Sequence, residues 1–323
     1  MTRTIVGVLR GGTSNEYNLS LKTGAAMLGS LPEEKYEVRD ILIDKSGLWH
    51  SRGMPTTPSR ALVQIDVVLN ALHGGVGEDG SVQRLLELSG VPYAGSRPLA
   101  AGLSLNKIRA REILQRAGIR MPHAISFSIG TGLDTGEMSQ AVFSTFGPPY
   151  IVKPPTEGAG YGIRFAETIR DLPHAMGDVL DAYGSALVEE YIRGEEASVG
   201  IIENFRNEDH YALPPAHVDH EARFLTPQHH ESGTLKHVAP SPFSFLQKQS
   251  LMDLARMAHK ILGLSHYSRS DLIVTSRKVY MLEVNSNPGL YQGASFPTML
   301  ESVGSSIREF LEHAIQLARS GKK

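Results

Sequence analysis

The first hundred residues alternate short apolar runs with glycine-rich turns and helix-like segments, and this order limits the folds open to the chain. The predicted elements are strands at residues 5–9, 38–43 and 67–72, a glycine turn at 11–14, and helices at 16–30 and 80–89. Strand, tight turn and helix in that order indicate a parallel sheet with helices on both faces. Such sheets bind ligands at the carboxyl ends of their strands. The turns after Leu9 and Leu72 are therefore candidate binding loops.

The length of 323 residues exceeds the size at which a single core usually stops growing, so several domains are expected. We predict an N-terminal domain at residues 1–97, a central subdomain with a glycine-rich loop at 98–187, and a C-terminal subdomain at 188–323. The C-terminal subdomain contains a long polar stretch, residues 217–242, that carries histidines and prolines. Structureless stretches of that length usually serve as lids or binding loops, so a lid is predicted there.

Composition narrows the class of protein. The apolar fraction of 41% and the charged fraction of 20% are those of an ordinary soluble globular protein. A net charge of −2 gives no reason to expect a nucleic-acid or acidic-membrane partner. The absence of cysteine excludes disulfides, thiolate metal sites and a cysteine nucleophile. Residues 5–9 are too short an apolar run for a signal peptide, and no apolar run is long enough for a membrane span, so we expect a cytoplasmic protein.

A hairpin near the carboxyl end carries the most informative polar side chains. Two apolar, β-branched runs on either side of a polar break at 276–278 predict two paired strands. A three-residue loop would place Asp271 opposite Glu283 and Arg269 opposite Asn285, all on one face. Two carboxylates and an amide oxygen so close repel one another unless a cation joins them, and oxygen ligands suit Mg²⁺. A surface hairpin with a salt bridge is the alternative, and the adjoining Asn-Pro-Gly turn favours the metal site.

A glycine-rich loop at residues 158–162 follows a predicted strand that ends near Lys153. Glycines let the backbone approach phosphates closely, and a lysine adds a positive point charge. The spacing matches neither a Walker A loop nor the dinucleotide-binding fingerprint. A plain connecting loop is the alternative, and the preceding strand with its lysine favours phosphate binding.

Two turns of the N-terminal domain also carry polar groups. Thr13 or Ser14 could cap the helix that follows, but a cap leaves the double glycine and Glu16 unexplained. His73 lies on a glycine-rich turn after the strand at 67–72, where a structural and a catalytic role are both open.

Five motifs follow one another along the chain: Gly-Gly-Thr-Ser-x-Glu, Ala-Leu-His-Gly-x-x-Gly-Glu-Asp-Gly, Val-Lys-Pro, Arg-x-Asp and Glu-x-Asn-x-x-Pro-Gly. In this order they resemble the D-alanine–D-alanine ligases of the ATP-grasp superfamily, and the resemblance runs from residue 5 to about residue 301. The resemblance implies an α/β chain of the α+β ATP-grasp class. Its N-terminal parallel-sheet (pre-ATP-grasp, Rossmann-like) domain would be followed by two α+β units that sandwich ATP.

For the nucleotide, the resemblance implies two phosphate-binding lysines, a glycine loop, a hinge strand for adenine and a carboxylate for the ribose. The matching positions are Lys107, Lys153, Gly158, Gly160, Glu189, Glu190, Tyr191, Ile192 and Glu196. It also implies two Mg²⁺ ions, or Mn²⁺ in their place, bound by Asp271, Glu283 and Asn285.

For the substrates, the resemblance implies an enzyme that joins two D-alanines through an acyl phosphate for peptidoglycan precursor synthesis. The catalytic positions would be Glu16, which holds the ammonium of the first D-alanine, with Arg269 and the Gly289 N–H as donors to its carboxylate. The remaining positions for the small-molecule amino acids would be His73, Arg223 and Ser295. Family members are commonly dimers, so a homodimer is among the expected states.

The sequence departs from the family where hydroxyl groups are usual. Ala159 and Gly160 replace serines of the glycine loop, Phe224 replaces a lid tyrosine, and Ala294 replaces the serine for the second carboxylate. These changes leave the acceptor open. The alternatives are a ligase of the same fold for D-lactate or another amino acid, and a non-catalytic ATP-binding homologue.

Overall fold

The N-terminal part of the computed structural model, which describes residues 3–220, 222–232 and 235–321, is a six-stranded sheet. Its strands are β1 (Thr4–Gly11), β2 (Tyr36–Ile43), β3 (Trp49–Ser51), β4 (Met54–Thr56), β5 (Val67–Asn70) and β6 (Tyr93–Ala94), in the order β4-β3-β2-β1-β5-β6. β1, β2, β5 and β6 pair in parallel, which confirms the predicted parallel sheet. β3 and β4 extend it as an antiparallel hairpin that the sequence did not predict.

Three helices accompany this sheet: α1 (Tyr17–Ser30), α2 (Pro58–Ala61) and α3 (Ser81–Leu88), with a short 3₁₀ turn at Gly75–Gly77. The alternative in which Thr13 or Ser14 caps α1 is excluded, because the N-cap is Glu16 and no side chain caps the helix. The Ser14 hydroxyl instead donates to the His73 carbonyl and accepts from the Glu16 N–H. The two candidate turns of this domain are thereby fastened to each other.

The central part contains a four-stranded antiparallel sheet in the order β7-β10-β8-β9. Its strands are β7 (Ala124–Ser128), β8 (Tyr150–Lys153), β9 (Arg164–Ala166) and β10 (Ser185–Glu190), and the helices of this region are α4 (Pro98–Leu105), α5 (Lys107–Arg116), α6 (Thr135–Phe143) and α7 (Leu172–Tyr183). Asn106 caps α5, and Asp134 and Glu137 form a capping box on α6. The glycine-rich loop connects β8 to β9, as its position after the predicted strand requires.

The C-terminal part is a second six-stranded sheet, antiparallel throughout. Its strands are β11 (Glu195–Phe205), β12 (Glu208–Ala212), β13 (Ala216–Asp219), β14 (Lys236–Val238), β15 (Tyr267–Val274) and β16 (Val279–Asn285), and its helices are α8 (Pro227–Ser232), α9 (Phe245–Ile261), α10 (Ser295–Ser302) and α11 (Ile307–Ser320). The expectation that residues 217–242 are structureless is wrong, because β13, α8 and β14 lie in or overlap this stretch. Glu221 and residues 233–234 lie outside the described residues.

The cores cross the predicted domain boundaries. Ala110 and Leu114 of α5 belong to one buried cluster with Leu251 of α9 and the strands of the C-terminal sheet. Phe296 of α10 and Phe310 of α11 belong to another with the strands of the N-terminal sheet. The division of the chain at residues 97 and 187 stays a prediction. The two shared cores join the N-terminal sheet and α5 to the C-terminal sheet, whereas the four-stranded central sheet has a core of its own.

The β15–β16 hairpin has the predicted pairing for a different reason. The loop has four residues rather than three, because Val274 pairs with Val279. A register shift then leaves Leu282 without a partner and restores the pairing of Asp271 with Glu283 and of Arg269 with Asn285. One extra residue in one strand of a pair is a β-bulge, and it moves the side chains that follow to the other face.

Candidate active site

All residues that the sequence predicts for the site line one cavity of about 350 Å³ between the three sheets. From the N-terminal and central parts these are Glu16, His73, Lys107, Lys153, Gly158, Gly160, Glu189, Glu190, Tyr191 and Ile192, and from the C-terminal part Glu196, Arg223, Arg269, Asp271, Glu283, Asn285, Gly289 and Ser295. The structure thus brings together groups that lie far apart in the chain, while the role of each remains a proposal.

Asp271 is the most heavily bonded carboxylate of this cavity. Arg269, two residues earlier on β15, donates from Nε at 2.9 Å and from Nη2 at 2.7 Å. Asn285 Nδ2 donates at 2.9 Å from β16, and Ser198 Oγ donates at 2.7 Å from β11. Three strands therefore hold this carboxylate in one orientation.

Glu283 lies beside Asp271 and is charged. Lys107 Nζ is 3.0 Å from its carboxylate and also donates to the Glu157 carbonyl at 2.7 Å. Burial acts to raise the pKa of Glu283, but Lys107, Lys153 and Arg269 outweigh burial and hold that pKa at about 2. At neutral pH the carboxylate is therefore available to a cation or to the charged groups of a substrate.

The oxygen ligands of this face fit Mg²⁺. Asp271 and Glu283 are direct partners across the hairpin, and Asn285 is the next residue on the same face of β16. Mg²⁺ prefers a few carboxylate oxygens supplemented by waters and substrate phosphates, and it has no need of imidazole or thiolate ligands. These three residues could hold it while Lys107 and Arg269 border the same face.

A buried charge triad lies behind the glycine-rich loop. The Glu189 carboxylate, 3% exposed, accepts from Lys153 Nζ at 2.6 Å and from Arg111 Nη2. Burial acts to raise the pKa of Glu189, but these two cations outweigh burial and lower that pKa. The Glu189 side chain thus holds Lys153 in place. Of Glu189 itself, only the backbone is left to bind a nucleotide, together with the backbone of the residues next to it.

Aromatic side chains surround the end of the cavity next to the hinge strand. Phe165 packs edge-on against Tyr191 and stacks on Phe224, with ring centroids 5.3 and 6.2 Å apart. Arg223 lies over Phe165 and pairs with Glu167 at 3.3 Å. The structure therefore places Phe224 and Arg223 beside the hinge strand, in the half of the cavity assigned to the nucleotide rather than beside Glu16.

Glu16 lies at the opposite end, 9% exposed, between the glycine-rich loop and the turn after β5. Burial and the nearby Glu78 carboxylate raise its pKa to about 7, although His73 and Lys107 act against the shift. The carboxylate lies so close to two glycines that a Cβ would stand 2.5 Å from Oε1 at Gly158 and 2.8 Å from it at Gly74. Both glycines make room for Glu16.

Replacing Gly158 with alanine should therefore displace the Glu16 carboxylate and raise the KM for the first amino acid about tenfold or more, because a misplaced binding group costs an order of magnitude or two. Steady-state kinetics at saturating ATP would measure the effect. Gly29→Ala in α1 is the control, since a Cβ at Gly29 meets nothing within 4 Å. Equal kinetics for the two variants would contradict the argument.

The Asn-Pro-Gly turn after β16 is fastened to the N-terminal domain. Asn287 Nδ2 donates to the Leu72 carbonyl at 2.7 Å, and the Leu290 N–H lies 3.4 Å from Thr23 Oγ1. The same Thr23 hydroxyl is 2.7 Å from His73 Nε2, so His73 is held in place rather than free in the cavity. These bonds hold the turn that carries Gly289 against the N-terminal domain, which also carries Glu16.

A short helix, α8, covers the cavity from the C-terminal sheet. Glu231 of this helix accepts from the Tyr161 hydroxyl at 3.1 Å, and its carbonyl accepts from Lys22 Nζ at 2.7 Å. His230 and, on β14, His237 face inward, where burial and Arg269 lower the pKa of each to about 4. The stretch predicted to be a lid is therefore closed onto both α1 and the glycine-rich loop.

Sequence reasoning missed several groups of the site. Ser198 follows Glu196 by two residues on a strand, so the alternation of side chains places both on one face and could have indicated it. Arg111 carries no local signal, because its partner Glu189 is 78 residues away. His230 and His237 belong to the polar stretch that the sequence did single out.

Comparison with known proteins matches two family models. The model described as D-ala D-ala ligase C-terminus matches residues 113–316, and the one described as D-ala D-ala ligase N-terminus matches residues 50–96. The D-alanine–D-alanine ligase of Carboxydothermus hydrogenoformans is 32% identical over 98% of this chain and 99% of its own. That of Desulforudis audaxviator is also 32% identical, over 97% and 98% of the two chains.

A solved structure of a relative is similar over nearly the whole chain. The D-alanine–D-alanine ligase from Bacillus anthracis, complexed with ATP, has a TM-score of 0.79 at 27% identity and covers 98% of this chain and 97% of its own. No helix among the described residues combines the length and the apolar character needed to cross a bilayer.

Proposed function

Because the chain belongs to the D-alanine–D-alanine ligase family, we propose that it joins two D-alanines at the expense of ATP, for peptidoglycan precursor synthesis. The family and the α+β ATP-grasp fold predicted from the sequence are thereby confirmed. One observation carries the proposal for this chain. Two lysines and two carboxylates, Lys107, Lys153, Asp271 and Glu283, share a single cavity with the buried carboxylate of Glu16.

The reaction has two steps. The carboxylate of the first D-alanine attacks the γ-phosphorus of ATP, the bond to the β-phosphate oxygen breaks, and an acyl phosphate and ADP form. The amine of the second D-alanine then attacks the acyl carbon, and phosphate leaves. Phosphoryl transfer depends mainly on positioning and on neutralising charge. Mg²⁺ held by Asp271, Glu283 and Asn285, with Mn²⁺ as a substitute, would neutralise charge on the phosphates.

The residues of the chain supply the other requirements. Lys107 and Lys153 add positive charge where the glycine-rich loop borders the cavity. Residues 190–192 line the end of the cavity that is surrounded by aromatic side chains. Glu196, which pairs with His220 at 3.4 Å, lines the adjoining part of the cavity and would meet the ribose. Because an acyl phosphate hydrolyses readily, water must be excluded, and α8 with its contacts to α1 serves that purpose.

At the amino-acid end, Glu16 binds the ammonium of the first D-alanine. Arg269, whose Nη1 is left over from its pairing with Asp271, and the Gly289 N–H donate to the oxygen that becomes negatively charged. Ser295, the first residue of α10, lines the end where the second D-alanine would lie. The N-terminus of that helix favours the carboxylate of the acceptor.

The direct test is phosphate release from ATP by the purified protein with Mg²⁺ and a panel of D-alanine, L-alanine, D-serine and D-lactate. We expect turnover with D-alanine alone and identification of the dipeptide. If turnover occurs only when D-lactate or another amino acid is added to D-alanine, the acceptor is that added compound and not a second D-alanine. ATP binding without phosphate release for any member of the panel would overturn the enzymatic proposal.

The pH dependence of D-alanine binding tests the role of Glu16 separately. The ammonium of D-alanine requires the ionised carboxylate, and a pKa of about 7 means that this form is depleted at lower pH. We expect the affinity for the first D-alanine to fall about tenfold per pH unit below pH 7 and to level off above it. Glu16→Gln should bind weakly with no such slope. Titration calorimetry between pH 5.5 and 8 would measure it, and an unchanged slope in the variant would assign the proton to another group.

Three further features of the protein follow from the proposed activity. A cytoplasmic location is proposed, because ATP is supplied there. The small-molecule amino acids would be its only partners apart from a second copy of the chain. The homodimer implied by the family stays a prediction, which light scattering of the purified protein would check.

A further inference from the structure

A cluster of three potential metal ligands lies on the C-terminal sheet, away from the cavity. It consists of Glu203 on β11, His210 on β12 and His259 on α9, whose ligand atoms all lie within 4.8 Å of one another. We propose that these three residues bind one divalent cation of the zinc type and that this cation fastens the β11–β12 hairpin to α9.

The cluster is separate from the proposed Mg²⁺ site. Glu203 and Ser198 are five residues apart on β11, and an odd spacing places them on opposite faces of the strand. Ser198 donates to Asp271 on the side of the cavity, whereas Glu203 approaches His259 of α9 at 3.4 Å. The two groups of residues therefore lie on opposite faces of the sheet.

The geometry is that of a tetrahedral site before a cation enters. Zinc binds imidazole nitrogen and carboxylate oxygen at about 2.0–2.1 Å, so two ligand atoms on a tetrahedral ion are about 3.3 Å apart. The 3.4 Å between His259 Nε2 and Glu203 Oε1 agrees with that separation. The His210 ring stands edge-on to His259, with ring centroids 5.7 Å apart. A small movement of the His210 side chain would therefore bring its nitrogen into the third ligand position.

Two of the ligands are already oriented by neighbours. His259 is fully buried, and its Nδ1 lies 2.7 Å from Ser268 Oγ, which directs Nε2 toward the cluster. The His266 N–H donates to Glu203 Oε2 at 2.7 Å and leaves Oε1 facing His259. Hydrogen bonds of this kind from the atom that does not bind the metal are characteristic of metal sites in proteins.

The ligand types select the cation. Two imidazoles and one carboxylate suit Zn²⁺ and similar ions, while Mg²⁺ prefers oxygen ligands alone. Three protein ligands leave a fourth position for water, which fits the partial exposure of Glu203 and His210.

The experiment is a titration of the full chain with Co²⁺ in the presence of Mg²⁺ and ADP, which occupy the oxygen ligands of the cavity. Tetrahedral Co²⁺ with imidazole ligands has intense visible absorption, whereas Co²⁺ on oxygen ligands absorbs weakly. We expect one equivalent of the intense species, displaced by one equivalent of Zn²⁺. His210→Asn should abolish it, and His174→Asn, which removes an exposed histidine on α7, should not.

A second measurement does not depend on colour. At a Zn²⁺ concentration a hundred times the Kd, the unfolding equilibrium constant of the wild-type chain should fall about a hundredfold. Glu203→Gln and His210→Asn should lose this stabilisation while keeping phosphate release without zinc. If His210→Asn binds Co²⁺ with the same spectrum and stoichiometry as the wild type, or if zinc stabilises all variants equally, the proposed site is wrong.

Discussion

Replacing Arg269 with lysine should lower kcat by about 10²–10³-fold, the usual cost of removing one donor from an oxyanion site. Nε and Nη2 of Arg269 donate to Asp271. Because the planar guanidinium has five N–H groups, Nη1 is still available to donate to the substrate. A lysine ammonium cannot hold the carboxylate in two places and also reach the substrate. Phosphate release at saturating ATP and D-alanine would measure the loss, with the KM for ATP affected far less than kcat.

The chain offers a matched control for this substitution. Arg39 on β2 pairs through Nε with Glu37, also two residues away on the same strand, at 2.9 Å. Arg39→Lys therefore alters the same kind of intrastrand ion pair outside the cavity and should leave kcat unchanged. If Arg269→Lys is no slower than Arg39→Lys, Arg269 only supports Asp271 and does not act on the substrate.

The hairpin shows how far local sequence rules reach. Alternation of side chains correctly paired Asp271 with Glu283, yet the assumed three-residue loop is a four-residue loop followed by a bulge at Leu282. The two errors cancel because a bulge shifts the register by one residue. The correct pairing therefore depended on two errors that offset each other, and the bulge itself has no local signature in the sequence.

The parts of the site that the sequence did not reveal depend on packing between distant segments. Arg111 of α5 meets Glu189 of β10 across 78 residues, and Lys22 meets Glu231 across 209 residues. Within the stretch predicted to be a lid, Glu231 of α8 has partners in α1 and in the glycine-rich loop, which lie far away in the sequence. Motif order identified the chemistry, but contacts between motifs require the fold.

Replacing Glu189 with glutamine should destabilise the protein by about 3–5 kcal/mol, because it leaves two buried cations without a carboxylate. Lys153 and Arg111 both point at Glu189 and are each only 6% exposed, so water could replace little of the interaction that they lose. The loss should appear as a lower free energy of unfolding in urea. Activity should fall as well, since Lys153 would no longer be fixed beside the glycine-rich loop.

The control is Glu312→Gln, which removes the partner of Lys35 from a pair on the surface. Exposed pairs contribute about 0.2–1 kcal/mol, so this variant should be nearly as stable as the wild type.

The pH dependence of stability distinguishes the effect of the Glu189 charge from the effect of side-chain packing. Because the folded state lowers the pKa of Glu189, its stabilising effect is complete above the ordinary pKa of a glutamate and is lost as the pH falls through the lowered value. The difference in stability between wild type and Glu189→Gln should therefore shrink in acid. A difference that stays constant down to the acid transition would mean that packing, and not the buried charge, accounts for the effect.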